Sequence, residues 1–123
     1  MLLPADIEAP AENKLLRQFG DALRSDILLV PHHGSRTSST LDFLSAVQPK
    51  LAINSSGHRN RFLHPAADVF TRYQMLKILF LDTACIGALK VQLRPGQAPQ
   101  VSHWQHTQQR FWHARDRAAH CRD

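Results

Sequence analysis

Short apolar runs alternate with amphipathic stretches along most of the chain, and the alternation predicts its elements. From Ala11 to Leu23, Leu15, Leu16, Phe19, Ala22 and Leu23 recur at helical spacing, so one stripe of a helix faces a core. Ile27-Leu28-Leu29-Val30 is a continuous run closed by Pro31, the pattern of a strand buried on both faces. Ser39-Thr40-Leu41-Asp42 has the form of a capping box opening a helix through Val47, which Pro49 stops. Leu51–Ser55 predicts a second strand, and Ser56–Leu63 a polar loop. Pro65 suits the first turn of a helix to about Leu76, with Val69, Phe70, Tyr73 and Leu76 inward. Lys77–Leu81 predicts a third strand. Leu89, Val91 and Leu93 alternate with Lys90 and Gln92, as in an edge strand with one wet face. Helices alternating with strands in this way predict an α/β layer.

After Arg94-Pro95-Gly96 the pattern dissolves. The segment 94–123 is rich in Gln, His and Arg, with Trp104, Phe111 and Trp112 as its few anchors. It reads as a basic, partly helical or disordered tail attached to a domain spanning 1–93. The tail carries five Arg against two Asp, part of the net charge of +5, which mildly favours an anionic partner. Hydrophobic residues make up 43% and charged ones 20%, excluding a disordered chain. No apolar run is long enough to span a bilayer and no signal peptide is visible, so the chain reads as soluble with no address of its own. Two cysteines, Cys85 and Cys121, without a CxxC pair, give no thiolate zinc finger.

Three clusters end a predicted strand or open a predicted helix, where ligands sit in α/β folds. They are Ala5-Asp6-Ile7-Glu8, Val30 to Ser39 with its His32-His33-Gly34 core, and Asn60 to Pro65. A carboxylate with neutral imidazoles is a donor set for zinc or manganese, because carboxylate oxygen can bridge ions and imidazole binds without adding charge. Two such metals can activate water and clamp a phosphodiester oxygen. Gly34 would let backbone approach closely, and Ser35, Arg36, Asn60 and Arg61 are candidate phosphate contacts. Each cluster alone also has an ordinary explanation: Asp6 as a turn or cap residue, the histidine pair as surface groups, His64 as a cap, Asp82-Thr83 as a turn. A serine hydrolase built on Ser35 and His33 is disfavoured, because there is no G-x-S-x-G elbow.

Taken together and in order, the segments resemble a family. ComEC-type competence proteins carry a metallo-β-lactamase domain with TGDIE, VPHHGSRTSS, NRYGHP and then TD before a GA strand. The counterparts here are Pro4–Glu8, Val30–Ser39, Asn60–Pro65, Asp82-Thr83 and Gly87-Ala88, so the resemblance covers residues 2–93. It implies an αββα sandwich of two similar halves, of which this chain is the second: one mixed sheet with helices on one face. By resemblance, Asp6 is the metal-bridging aspartate, and one of His32 and His33, with His32 taken first, is the last metal-binding histidine. His64 lies at the pocket edge as ligand, proton carrier or phosphate contact. Asp6, His32 and His64 are thus the implied catalytic residues of a metal-dependent phosphodiesterase or nuclease acting on single-stranded DNA during uptake at the bacterial inner membrane.

The family's first motif, HxDxDH, is absent from this chain. Ala5 and Leu63 stand where the family has glycine. The resemblance therefore implies a domain whose first half, like the membrane channel, is a partner outside the chain; the metal belongs to the intact domain, and the isolated chain, with or without it, is expected to be inactive. One sheet face would be uncovered, so self-association is expected unless the tail folds over it. The alternative is a non-catalytic nucleic-acid- or protein-binding module on the same scaffold, with Arg36, Arg59, Arg61 and the tail arginines holding phosphates.

Overall fold

In the computed structural model, residues 1–103 are described. Helix α1 (Ala9–Phe19) leads through a 3-10 turn at Gly20–Leu23 to strand β1 (Ile27–Leu29); α2 (Leu41–Val47), β2 (Leu51–Asn54), α3 (Ala67–Met75) and β3 (Leu79–Asp82) follow. A short helix α4 (Thr83–Ile86) then precedes the hairpin β4 (Leu89–Gln92) and β5 (Gln100–His103). Strands β1, β2 and β3 form a parallel sheet in that order, and Leu2 adds a parallel bridge to Leu28 on the outer side of β1.

The register sorts the side chains. Leu28, Ala52 and Phe80 lie in line across the strands and share one face, because successive residues of a strand point to opposite sides. That face packs with Leu23, Phe43, Leu44, Val47, Val69 and Tyr73 from the helical layer. Phe43 and Val47 are fully buried, each such side chain contributing roughly 1.5–3 kcal/mol. On the opposite face, Ile27, Leu51 and Ile53 pack with Leu29, Leu81, Leu89, Val91 and Val101, the last three from the hairpin.

Two expectations change here. The single mixed sheet is two sheets, a parallel trio and an antiparallel pair. The second sheet face is also covered rather than open: Ile27 and Ile53 are only 2% and 5% exposed beneath the hairpin. The strand β5 that completes the hairpin lies in the segment expected to be tail, turning back around Pro95-Gly96. The rest of that tail, with Trp104, His106, Phe111 and Trp112, lies outside the described residues. Among the described residues no helix is long and apolar enough to cross a membrane.

Local expectations shift as well. Gly20, at φ +46, turns the chain out of α1, leaving Phe19 47% exposed and bringing Leu23 into the core. The N-cap of α2 is Thr40, whose hydroxyl accepts from the Phe43 N–H. Ser39 is buried at φ +57, and the acid serving this helix end is Glu12 of α1 rather than Asp42.

Candidate functional site

The carboxyl ends of the parallel strands collect every motif. Leu2 leads to the turn carrying Asp6, β1 to Pro31-His32-His33, β2 to Asn54-Ser55-Ser56, and β3 to Asp82-Thr83. The His32 N–H donates to the Ala5 carbonyl at 3.1 Å, tying the first two loops together. Ser56 and Asp82 join the others: the Ser56 hydroxyl donates to Asp82 Oδ1 at 2.7 Å, and the Ser56 N–H to Thr83 Oγ1 at 3.0 Å.

Three consecutive left-handed residues shape the histidine loop: His32 (φ 47), His33 (φ 56) and Gly34 (φ 80). For a residue with a Cβ this conformation costs roughly 1–2 kcal/mol, and it persists where surrounding bonds over-determine it. Such bonds surround this loop. The Ser38 hydroxyl reaches the Pro31 and Ser35 carbonyls at 2.8 and 2.9 Å. Arg72 of α3 donates to the Ser38 and Ser39 carbonyls, both at 3.0 Å, and the Tyr73 hydroxyl lies 3.0 Å from Ser39 Oγ. Burial pushes the Tyr73 phenol far above its ordinary pKa, so it stays neutral. Glu12, fully buried, accepts from the Ser39 N–H (2.6 Å), the Thr40 N–H (2.9 Å) and the Thr40 hydroxyl (2.7 Å). Ser38 and Ser39 of the nearly exact motif therefore build the loop's foundation.

His33, rather than the first-favoured His32, faces Asp6. Its Nδ1 lies 2.6 Å from the Ser55 carbonyl, which can only accept, so Nδ1 carries the proton. In the neutral ring Nε2 then presents a lone pair, and it stands 3.6 Å from Asp6 Oδ1. Both side chains are more than half exposed. His32 turns the other way: its Nδ1 lies 3.2 Å from Glu8 Oε1, at ion-pair distance but without hydrogen-bond geometry. His64 completes a histidine cluster, its ring centroid 6.4 Å from that of His32, and its buried Nδ1 has no hydrogen-bond partner. Burial, then the charges His32 and His33 would carry, hold the His64 pKa below its ordinary value.

The expected phosphate contacts fare differently. Ser35 Oγ shares a hydrogen bond with Thr37 Oγ1 (3.0 Å), and Arg36 Nε reaches Asp68 Oδ1 on α3 (3.4 Å). Asn60 is a loop clamp: Nδ2 donates to the His64 carbonyl at 2.7 Å, and Oδ1 accepts from the His64 N–H at 2.8 Å. These three side chains thus have polar groups engaged within the protein. Arg61 lies with its guanidinium 4.8 Å from the Phe62 ring centre.

Ala5 and Leu63, the residues standing in for family glycines, are both left-handed, at φ 54 and φ 56. Residue-by-residue reading passed over Glu12, although an acid three and four residues before Leu15 and Leu16 sits on the apolar stripe. It also passed over Asn54, fully buried with neither amide atom hydrogen-bonded, and Phe62, 63% exposed beside His64.

No protein-family model matches the chain, and no solved structure matches it. Curated relatives do. Over 96 residues it is 38% identical to competence protein ComA of Neisseria gonorrhoeae, covering 78% of this chain and 14% of that protein. It is 41% identical over 91 residues to the uncharacterized protein YcaI of Escherichia coli, covering 74% and 12%. With ComE operon protein 3 of Bacillus subtilis it shares 33% identity over 93 residues, covering 76% and 12%. The chain thus spans 12% to 14% of the length of these relatives. The expected kinship with competence proteins is observed at the level of sequence.

Proposed function

We propose that this chain is part of a ComEC-type DNA-uptake protein. In this reading it supplies one half of a metallo-β-lactamase-fold domain, in which Asp6 and His33 hold a divalent metal, zinc or manganese, for phosphodiester hydrolysis. The observation that carries this reading is the facing of Asp6 Oδ1 and His33 Nε2 at the carboxyl edge of the parallel sheet. Their 3.6 Å separation fits the group: two ligands at about 2.1 Å from a tetrahedral ion stand roughly 3.4 Å apart. The Ser55 carbonyl supports it further, since a backbone acceptor on the far nitrogen is the usual second partner of a metal-binding imidazole. When bound, such a metal activates water and polarises a phosphoryl oxygen. The chain's own residues hold and orient: Ser55 fixes the His33 tautomer, the left-handed loop aims the ring, and His64 stands beside the pair as a proton carrier. The remaining ligands, the rest of the domain and the membrane channel are supplied from outside the span shared with the competence relatives.

Calorimetric titration of the chain with zinc and with manganese tests the ligand assignment. Asp6→Ala and His33→Ala are expected to abolish binding, and His32→Ala to leave it largely intact. Unchanged binding by His33→Ala would overturn the assignment. DNA hydrolysis is expected from the longer competence protein and lost on chelation, and absent from the chain alone.

One observation favours a second reading. Among the described residues no group of three or more His, Cys, Asp or Glu is placed to hold a metal. On that reading the chain is a non-catalytic binding module. Its signature is salt-dependent binding of nucleic acid that survives both chelation and His33→Ala.

A further inference from the structure

Beside the histidine cluster, the loop 57–63 (Gly-His-Arg-Asn-Arg-Phe-Leu) carries two arginines, a histidine and no acid. Within it Phe62 is 63% exposed, an unusual position for a ring that no core requires. The ring is nonetheless held. It stacks on His64 at 5.7 Å between centroids and 18° between planes, and Arg61 lies over it at 4.8 Å. His64 is in turn fixed through its backbone, which both donates to and accepts from the Asn60 carboxamide. An exposed aromatic ring on a clamped base, flanked by cations, is the arrangement that binds unpaired nucleobases.

A cleft of about 210 Å³ opens at this ring. Phe62, His64, Asn60 and His33 line it, with Ser55 and Ser56 from the end of β2. One cleft therefore touches both the exposed aromatic and the imidazole that faces Asp6.

We propose that Phe62 is a base-stacking subsite for single-stranded nucleic acid, with Arg59 and Arg61 holding the adjoining phosphates. A base lying on Phe62 enters the cleft and carries its backbone toward His33. A duplex offers no free base face there, so the subsite selects strands with unpaired bases. Arg61, displaced from the ring by the base, becomes available to a phosphate. The inference deepens the nucleic-acid reading above but does not depend on the metal.

Fluorescence anisotropy in chelator tests it, using the full chain and labelled oligothymidylate about ten nucleotides long. Stacking of one base on an aromatic ring is worth roughly five- to 150-fold in affinity. Phe62→Ala is expected to weaken oligothymidylate binding about ten-fold, and Phe62→Trp to keep it within about two-fold. Duplex of equal length and an abasic strand, which keep the phosphates, are expected to bind wild type and Phe62→Ala alike. The exposure of Phe62 makes its truncation harmless to the core, so both variants fold. An unchanged affinity of Phe62→Ala for oligothymidylate, or an equal loss on duplex and abasic strands, overturns the proposal. The chelator separates the two ideas: the loss in Phe62→Ala is read with no metal bound, so it is expected even if the metal assignment fails.

Discussion

Gly34→Ala is the substitution whose cost can be worked most closely. Gly34 is buried at φ +80, and its carbonyl accepts from the Ala66 N–H at 2.9 Å. A Cβ added there would stand 2.6 Å from Pro65 Cβ and 3.0 Å from Pro65 Cα, with Asn54 Oδ1 at 3.5 Å. The closest atom belongs to a rigid ring and the next to backbone, so the loops must separate. Gly96 is the internal control: it also has positive φ, at +69, but nothing lies within 4 Å of its added Cβ. Gly96→Ala therefore costs only the positive-φ backbone, roughly 1–2 kcal/mol. Gly34→Ala adds overpacking of roughly 1–3 kcal/mol, for a total of about 2–5 kcal/mol. The unfolded-chain effect of replacing glycine is common to both variants and cancels in their difference. Urea unfolding of both, extrapolated to water, measures that difference. Equal costs would refute the claim that the histidine loop and the His64-Pro65 segment are packed to contact at Gly34.

Ala5→Gly and Leu63→Gly are each expected to stabilise the chain by about 1 kcal/mol, because both residues are left-handed and exposed; a fall in urea midpoint would contradict this. Glu12→Ala leaves the Ser39 and Thr40 donors without their acceptor and is expected to cost about 3 kcal/mol in the same assay; a cost below 1 kcal/mol would show that water reaches them. For His64 the folded pKa lies below the unfolded value of 6.5, so above 6.5 both states are neutral and nothing is lost. As pH falls below 6.5 the unfolded chain takes the proton first, and stability falls. Thermal melts in chelator should show this loss, reduced in His64→Gln; parallel profiles for the two proteins would remove His64 as its source.

The parallel strands were legible because each is a compact apolar run, and the register follows once both faces must be buried. Their ends shifted by a residue or two, as at Val30 and Ser55, where the loops begin. What local pattern could not show came from distant partners. Ser39 looked like a cap, but the carboxylate that fixes its conformation sits 27 residues earlier in α1. The hairpin strand Gln100–His103 was hidden because its alternation is weak and its apolar residue, Val101, finds its cover only in tertiary packing. Placement of the motif loops at one sheet edge follows from strand direction alone. The choice between His32 and His33 does not, because it depends on consecutive left-handed residues that reverse the ordinary alternation of side chains. Phe62 was visible as a letter, but only exposure made it a candidate.

The anchoring of residues 38–40 from two helices has a consequence for recognition. A segment that is a loop by shape is bonded like an interior, so it cannot open without undocking α1 and α3 together. The histidines are then a fixed template rather than a lid. Any accommodation to the size or sequence of what binds falls to the side chains at the mouth, Arg59 and Arg61, beside the held ring of Phe62.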